Sequence, residues 1–182
     1  MPLKPHQQTA LWLIVSAALL SSLIPGGPIE NRDFSHIHPG ILIAFNLFLT
    51  TLDIGSIVLA WFAVRQRQWA LQGAFYAAIA YFAVYAVDLA QLFPRSETPM
   101  SFALALVEVL GMSAAVPLMF ASRNARAVLS GAEVSTGSAT GGARYAVAVA
   151  FVALGLVVIW FATDAAMSGG PSATDPSVRT VQ

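Results

Sequence analysis

Cysteine is absent from the chain. That rules out disulfides, thiolate nucleophiles, thioether-linked haem and iron–sulfur ligation, and it leaves the redox compartment undetermined. Charge is nearly as scarce: Asp, Glu, Lys and Arg make up 10% of the residues, where a soluble domain carries about a quarter. Nine basic residues balance nine acidic ones. No basic face exists to neutralise phosphates, which argues against a nucleic-acid partner. No cofactor motif or nucleophile signature occurs either, so the cofactor is left unknown.

What the chain has in quantity is apolar residues. They form 57% of it, the mean hydropathy is +0.71, and they gather in long blocks instead of alternating with polar ones. This is the pattern of an all-α integral membrane protein. A transmembrane barrel would need alternating stretches of about ten residues, and the chain has none.

Five blocks are predicted as transmembrane helices, at residues 9–24, 41–64, 69–93, 100–121 and 145–163. The first is short for a span, which needs about 20 residues. A signal peptide is the competing reading. Lys4 is its only basic residue, and no small-x-small cleavage site precedes Pro25-Gly26-Gly27-Pro28, so an uncleaved helix is expected. Basic residues in short loops set the orientation. Lys4, Arg65, Arg67, Arg123, Arg126 and Arg144 fall on one side, and Arg32, Arg95 and Arg179 on the other. The richer side is expected to be cytoplasmic, giving N-in/C-out. Residues 1–168 read as one transmembrane helical domain, interrupted by a flexible cytoplasmic loop at 122–142 and followed by a disordered tail at 169–182. The Ala- and Val-rich spans suggest a bacterial inner membrane. No internal repeat marks an alternating-access transporter.

Three carboxyl groups lie inside the spans: Asp53, Asp88 and Glu108. Each costs about 2.5–3.5 kcal/mol at mid-membrane on insertion scales, so each marks a candidate site. Asn46, Thr50 and Asp53 share one helical face, as do Tyr81, Tyr85 and Asp88, with Gln91 one turn beyond. Ser101, Glu108 and Met112 share a third. At 1.5 Å per residue the acids lie about 8–18 Å below the outer surface. If the three faces converge, they line an outer-half cavity with a polar upper wall and an aromatic lower one. With no basic residue in the spans, at least one acid is expected to carry a proton, because burial and like charge both disfavour ionisation.

The outer loop between the first two blocks, PGGPIENRDFSHIHP, mixes Glu30, Arg32, Asp33, His36 and His38 with Ile29, Phe34 and Ile37. It reads as a segment lying on the bundle or in the interface. Arg32 reads as a loop ion pair with Glu30 and Asp33, or as a ligand-anion contact. His36 and His38 offer imidazoles for a metal, although a His before Pro-Gly more often caps the next helix.

Three functional readings follow. The first is a polar cavity binding a hydrophobic small molecule or lipid, with Asp53, Asp88 and Glu108 as anchors or as acid and base in an isomerase-like or cyclase-like reaction. In the second, the acids carry protons or cations in a transport component, against which stands the absence of charge from the inner half. In the third, the polar faces meet a membrane protein partner in a larger complex.

Overall fold

The computed structural model describes residues 3–25, 29–30, 32–96 and 98–131. Over these residues the chain forms a helical bundle with no strand: α1 (Pro5–Ser21), α2 (Pro39–Val64), α3 (Gln68–Leu89) and α4 (Phe102–Ser130). Three of them, α2, α3 and α4, are long and apolar enough to cross a membrane. Their 26, 22 and 29 residues reach about 39, 33 and 44 Å, against a hydrocarbon core of about 30 Å. With 17 residues, α1 reaches only about 26 Å. The block at 145–163, the tail at 169–182 and the loop beyond residue 131 lie outside the described residues.

Local chemistry sets the helix ends. Pro39 opens α2 behind His38, whose Nδ1 accepts the Gly40 N–H at 3.1 Å. Ser101 caps α4 by accepting the Leu104 N–H at 3.2 Å. At the end of α2, Gln66 takes φ 58°. The Arg67 N–H then reaches Phe62 O at 3.1 Å and the Gln66 N–H reaches Ala63 O at 2.8 Å, the paired bonds of a Schellman turn. Gln91, at φ 53°, ends α3 the same way, with Leu92 N–H on Val87 O and Gln91 N–H on Asp88 O. That turn stops the helix at Leu89, short of the Phe93 expected from hydropathy.

The largest departure is in α4, which continues to Ser130 through residues read as the start of a loop. Hydropathy falls at Ser122-Arg123, but a buried stripe does not: Ser122, Ala125 and Leu129 are all shielded, at helical spacing. Ala125 and Leu129 join the core that holds Ala10 and Leu13 of α1. Pro117 lies within α4, and the helix runs through it.

α3 packs on α4, and α1 packs on both α2 and α4, while no Cα of α2 comes within 8 Å of one in α4. The core is built largely of alanine, with Leu13, Leu71, Leu118, Tyr81 and Tyr85 filling the larger spaces. Small residues let helix backbones approach closely, which supplies the packing that lipid-solvated helices depend on. Bulky side chains such as Ile43, Trp61, Phe102 and Phe120 face outward.

The tightest such approach is at Gly111, where an added Cβ would overlap the Tyr85 ring. Gly111→Ala is therefore expected to destabilise the bundle by about 1–3 kcal/mol, seen as a lower thermal midpoint in detergent. An unchanged midpoint would mean that α3 and α4 have room to separate.

Candidate functional site

The site is built where the α1–α2 loop meets the ends of α3 and α4. Glu30, Arg32 and Phe34 of that loop are 4%, 7% and 3% exposed. The segment lies against the bundle, as its mixed composition suggests. Arg32 Nε donates to Glu30 Oε1 at 3.0 Å and Oε2 at 3.1 Å, and Nη2 donates to Glu30 Oε2 at 2.6 Å. The other edge of the guanidinium is bidentate on Asp88, with Nη1 to Oδ1 and Nη2 to Oδ2 both at 2.8 Å. Its Cζ sits 5.3 Å from the centroid of the Phe34 ring. Glu108, wholly buried on α4, places Oε1 3.9 Å from Nη2. One cation thus stands among three carboxyl groups. Burial works against the Arg32 charge, but the hydrogen bonds and charges of Asp88 and Glu30 outweigh it and raise the guanidinium above its ordinary value.

This corrects the expectation that the intramembrane acids lack a basic neighbour: Arg32 reaches Asp88 from 56 residues away. Glu30 is its loop partner, but Asp33 is not. Asp33 accepts the Ser35 N–H at 2.8 Å. That backbone bond, first among the causes, holds its carboxyl below the usual range. The Asp33 main chain instead fastens the loop to the α3–α4 connection, accepting Ser96 Oγ at 3.1 Å and donating to Thr98 Oγ1 at 3.4 Å.

Beneath the cluster lies a cavity of about 330 Å3 between α1, α2 and α3. Its walls are mostly apolar, with Leu20, Leu42, Phe45, Leu49, Ile54 and Ile57 among them, and its polar groups include Glu30, Arg32, Asn46, Thr50, Asp53, Tyr85 and Asp88. Asp53 Oδ2 accepts Ser21 Oγ from α1 at 2.7 Å, while Oδ1 is buried without a hydrogen-bond partner among the described residues. Tyr85 also lines the cavity, and its buried hydroxyl likewise has no partner among the described residues. A second, polar depression of about 490 Å3 lies outside, lined by Gln91, Arg95, Ser96 and Thr98. Arg32 and Pro94 border both, so they form the wall between them.

Asp53 and Asp88 therefore share one cavity, with Asn46, Thr50, Tyr85, Glu30 and Arg32. Glu108 does not line it but sits behind Arg32, on α4, whose backbone stands away from α2. The inner wall is aliphatic, through Ile54, Ile57 and Val84, rather than aromatic. Tyr81 is buried in the core, where its hydroxyl donates to Ser56 Oγ at 3.0 Å. Gln91 belongs to the outer depression. His36 is exposed and His38 caps α2. Among the described residues, no three of His, Cys, Asp and Glu are grouped to hold a metal ion. Reading the sequence alone overlooked Ser21 as the partner of Asp53, since nothing in a helix-end Ser-Ser pair announces a contact to another helix.

Removing the cation while keeping bulk isolates its role. Arg32→Met leaves Glu30, Asp88 and Glu108 together without compensation and is expected to cost about 3–5 kcal/mol, measured by thermal or denaturant unfolding in micelles. A cost below about 1 kcal/mol would show that water reaches the cluster.

No curated protein and no solved structure matches the chain. One family model does, over residues 5–140, which include all four helices; it is described as a domain of unknown function (DUF8051), and the chain belongs to that family.

Proposed function

We propose that this membrane protein binds a small hydrophobic molecule in the cavity between α1, α2 and α3, with the polar end of that molecule against Asp53. The observation that carries the reading is an apolar cavity whose lining includes Asp53, a carboxyl residue with one buried oxygen, Oδ1, that has no hydrogen-bond partner among the described residues. Ligand sites are mostly apolar hollows with a few convergent polar groups. A buried acceptor left unsatisfied costs about 1–3 kcal/mol, a cost that a ligand donor removes.

The volume limits the ligand. About 330 Å3 is at the low end of the roughly 300–1,000 Å3 typical of small-molecule sites. It suits a single-chain or compact ring molecule rather than a whole two-chain phospholipid. Acid–base chemistry on that molecule falls to Asp53 and Asp88, the intramembrane acids that line the cavity; Glu108 acts only through its neighbours. In this reading the chain crosses the membrane five times, N-in/C-out, in a bacterial inner membrane. The α1–α2 and α3–α4 loops then face outward.

Native mass spectrometry of the gently solubilised protein, with extraction of what co-purifies, tests the binding. A defined small molecule is expected on the wild type and is expected to be lost from Asp53→Asn, which preserves shape while exchanging a carboxylate oxygen for an amide. A bare chain that stays folded and correctly inserted would count against the cavity reading. A stoichiometric protein in its place would favour the accessory-subunit alternative.

A further inference from the structure

The charged groups around the cavity are unequal in what they still have to offer. Arg32, the only basic residue on the lining among the described residues, has its Nε and both hydrogens of Nη2 engaged by Glu30 and Asp88, and one hydrogen of Nη1 by Asp88. Four of the five N–H donors of a guanidinium are therefore committed to carboxylates already in place. An anionic head would find a single Nη1 hydrogen left to it, and it would enter a lining that carries Glu30, Asp53 and Asp88. Like charges in a poorly hydrated site repel strongly. Acceptor capacity, by contrast, is left over: Asp53 lines the cavity, Ser21 holds its Oδ2 in place, and its buried Oδ1 has no partner among the described residues.

We propose that the cavity selects an amphiphile whose head donates hydrogen bonds, an ammonium or a hydroxyl, and excludes one headed by carboxylate or phosphate, with Asp53 receiving the head. Asp53 lies seven residues, or about 10 Å, along α2 from Asn46. Both line the cavity, so the head sits at depth and the body extends toward the Arg32 roof among Leu49, Phe45 and Leu42. The inference rests on the cavity being a ligand site, and its test separates the two claims.

The full chain is reconstituted in nanodiscs of zwitterionic lipid. Equilibrium retention of isotopically labelled decylamine, decanol and decanoate is then compared with retention by empty discs. Decylamine and decanol are expected to bind, and decanoate at least about tenfold more weakly, the equivalent of one hydrogen bond to a charged group. Asp53→Asn is expected to weaken decylamine by about 10- to 100-fold and decanol by less, because the amide oxygen still accepts from a neutral hydroxyl. Ser21→Ala, which removes the bond that holds the Asp53 carboxylate in place, is expected to weaken retention in the same order but by less. Decanoate bound as tightly as decylamine would overturn the head selection and leave the cavity reading intact. Leu49→Trp, or the milder Ile57→Phe, fills the cavity and is expected to abolish retention of all three probes. Probe binding that survives these fillings, or no binding of any probe to the wild type, would overturn the cavity reading and the head selection with it.

Discussion

The arrangement depends on one guanidinium. Arg32 leaves the loop end of the bundle and enters between α3 and α4 to meet Asp88, with Glu30 folded onto its other edge. An arginine cannot shed its charge at any physiological pH, so in a dry site it must bring or find anions. It does both. Glu30, two residues away, travels with it, and Asp88 waits on α3. Bidentate contact on two edges fixes the plane of the group as well as its position. From that plane follow the path of the loop, the roof of the cavity and the wall between the cavity and the outer depression.

A buried ion pair is weak evidence of stability in itself, since desolvation of both charges opposes their attraction. Its clearer effect is to specify which arrangement forms. A loop held only by Phe34 and by the Ser96 and Thr98 contacts could slide by a residue at little cost. With Arg32 in the bundle, a shift of one position would bury Asp33, or leave Asp88 and Glu108 facing no cation. Asp88 is thus explained differently from Asp53. It is bonded to a cation that belongs to the chain, which Glu108 only approaches; Asp53 has a hydroxyl, Ser21, and an oxygen left over.

Part of this arrangement is legible in the sequence. Long apolar blocks bounded by Pro39-Gly40 and Arg65-Gln66-Arg67 gave α2 nearly to the residue, because hydropathy and turn chemistry agree there. The end of α4 was not legible. Hydropathy averages over all faces of a helix, whereas Ser122, Ala125 and Leu129 are buried along one. The three acids stood out by their cost in lipid, and Asn46, Thr50 and Tyr85 by sharing their faces. Which faces meet is a different kind of information. It depends on α1 lying against α2 and on α2 standing clear of α4, and no periodicity within one helix records its neighbours. The partnership of Arg32 with Asp88 was hidden for the same reason, although a loop placing Glu30 and Arg32 between Ile29 and Phe34 was already read as lying on the bundle.

Why carboxylates, and not the many hydroxyls, carry the functional argument follows from donor chemistry. Thr9, Thr51, Ser56 and Ser122 also sit in the helices, and each turns its hydroxyl back onto a carbonyl one turn earlier: Pro5, Leu47, Leu52 and Met119. A hydroxyl can always do this, because the helix offers acceptors at that distance. An ionised carboxylate has no proton to give, and the N–H groups of a helix interior are already bonded to carbonyls. It must therefore obtain its donors from another element, from water or from a ligand. Asp88 obtains them from Arg32, and Asp53 obtains one from Ser21. The remaining oxygen of Asp53 belongs to a residue that opens on a cavity rather than on packed side chains. Packing alone would be better served at that position by leucine, which is why the proposed ligand is placed against Asp53.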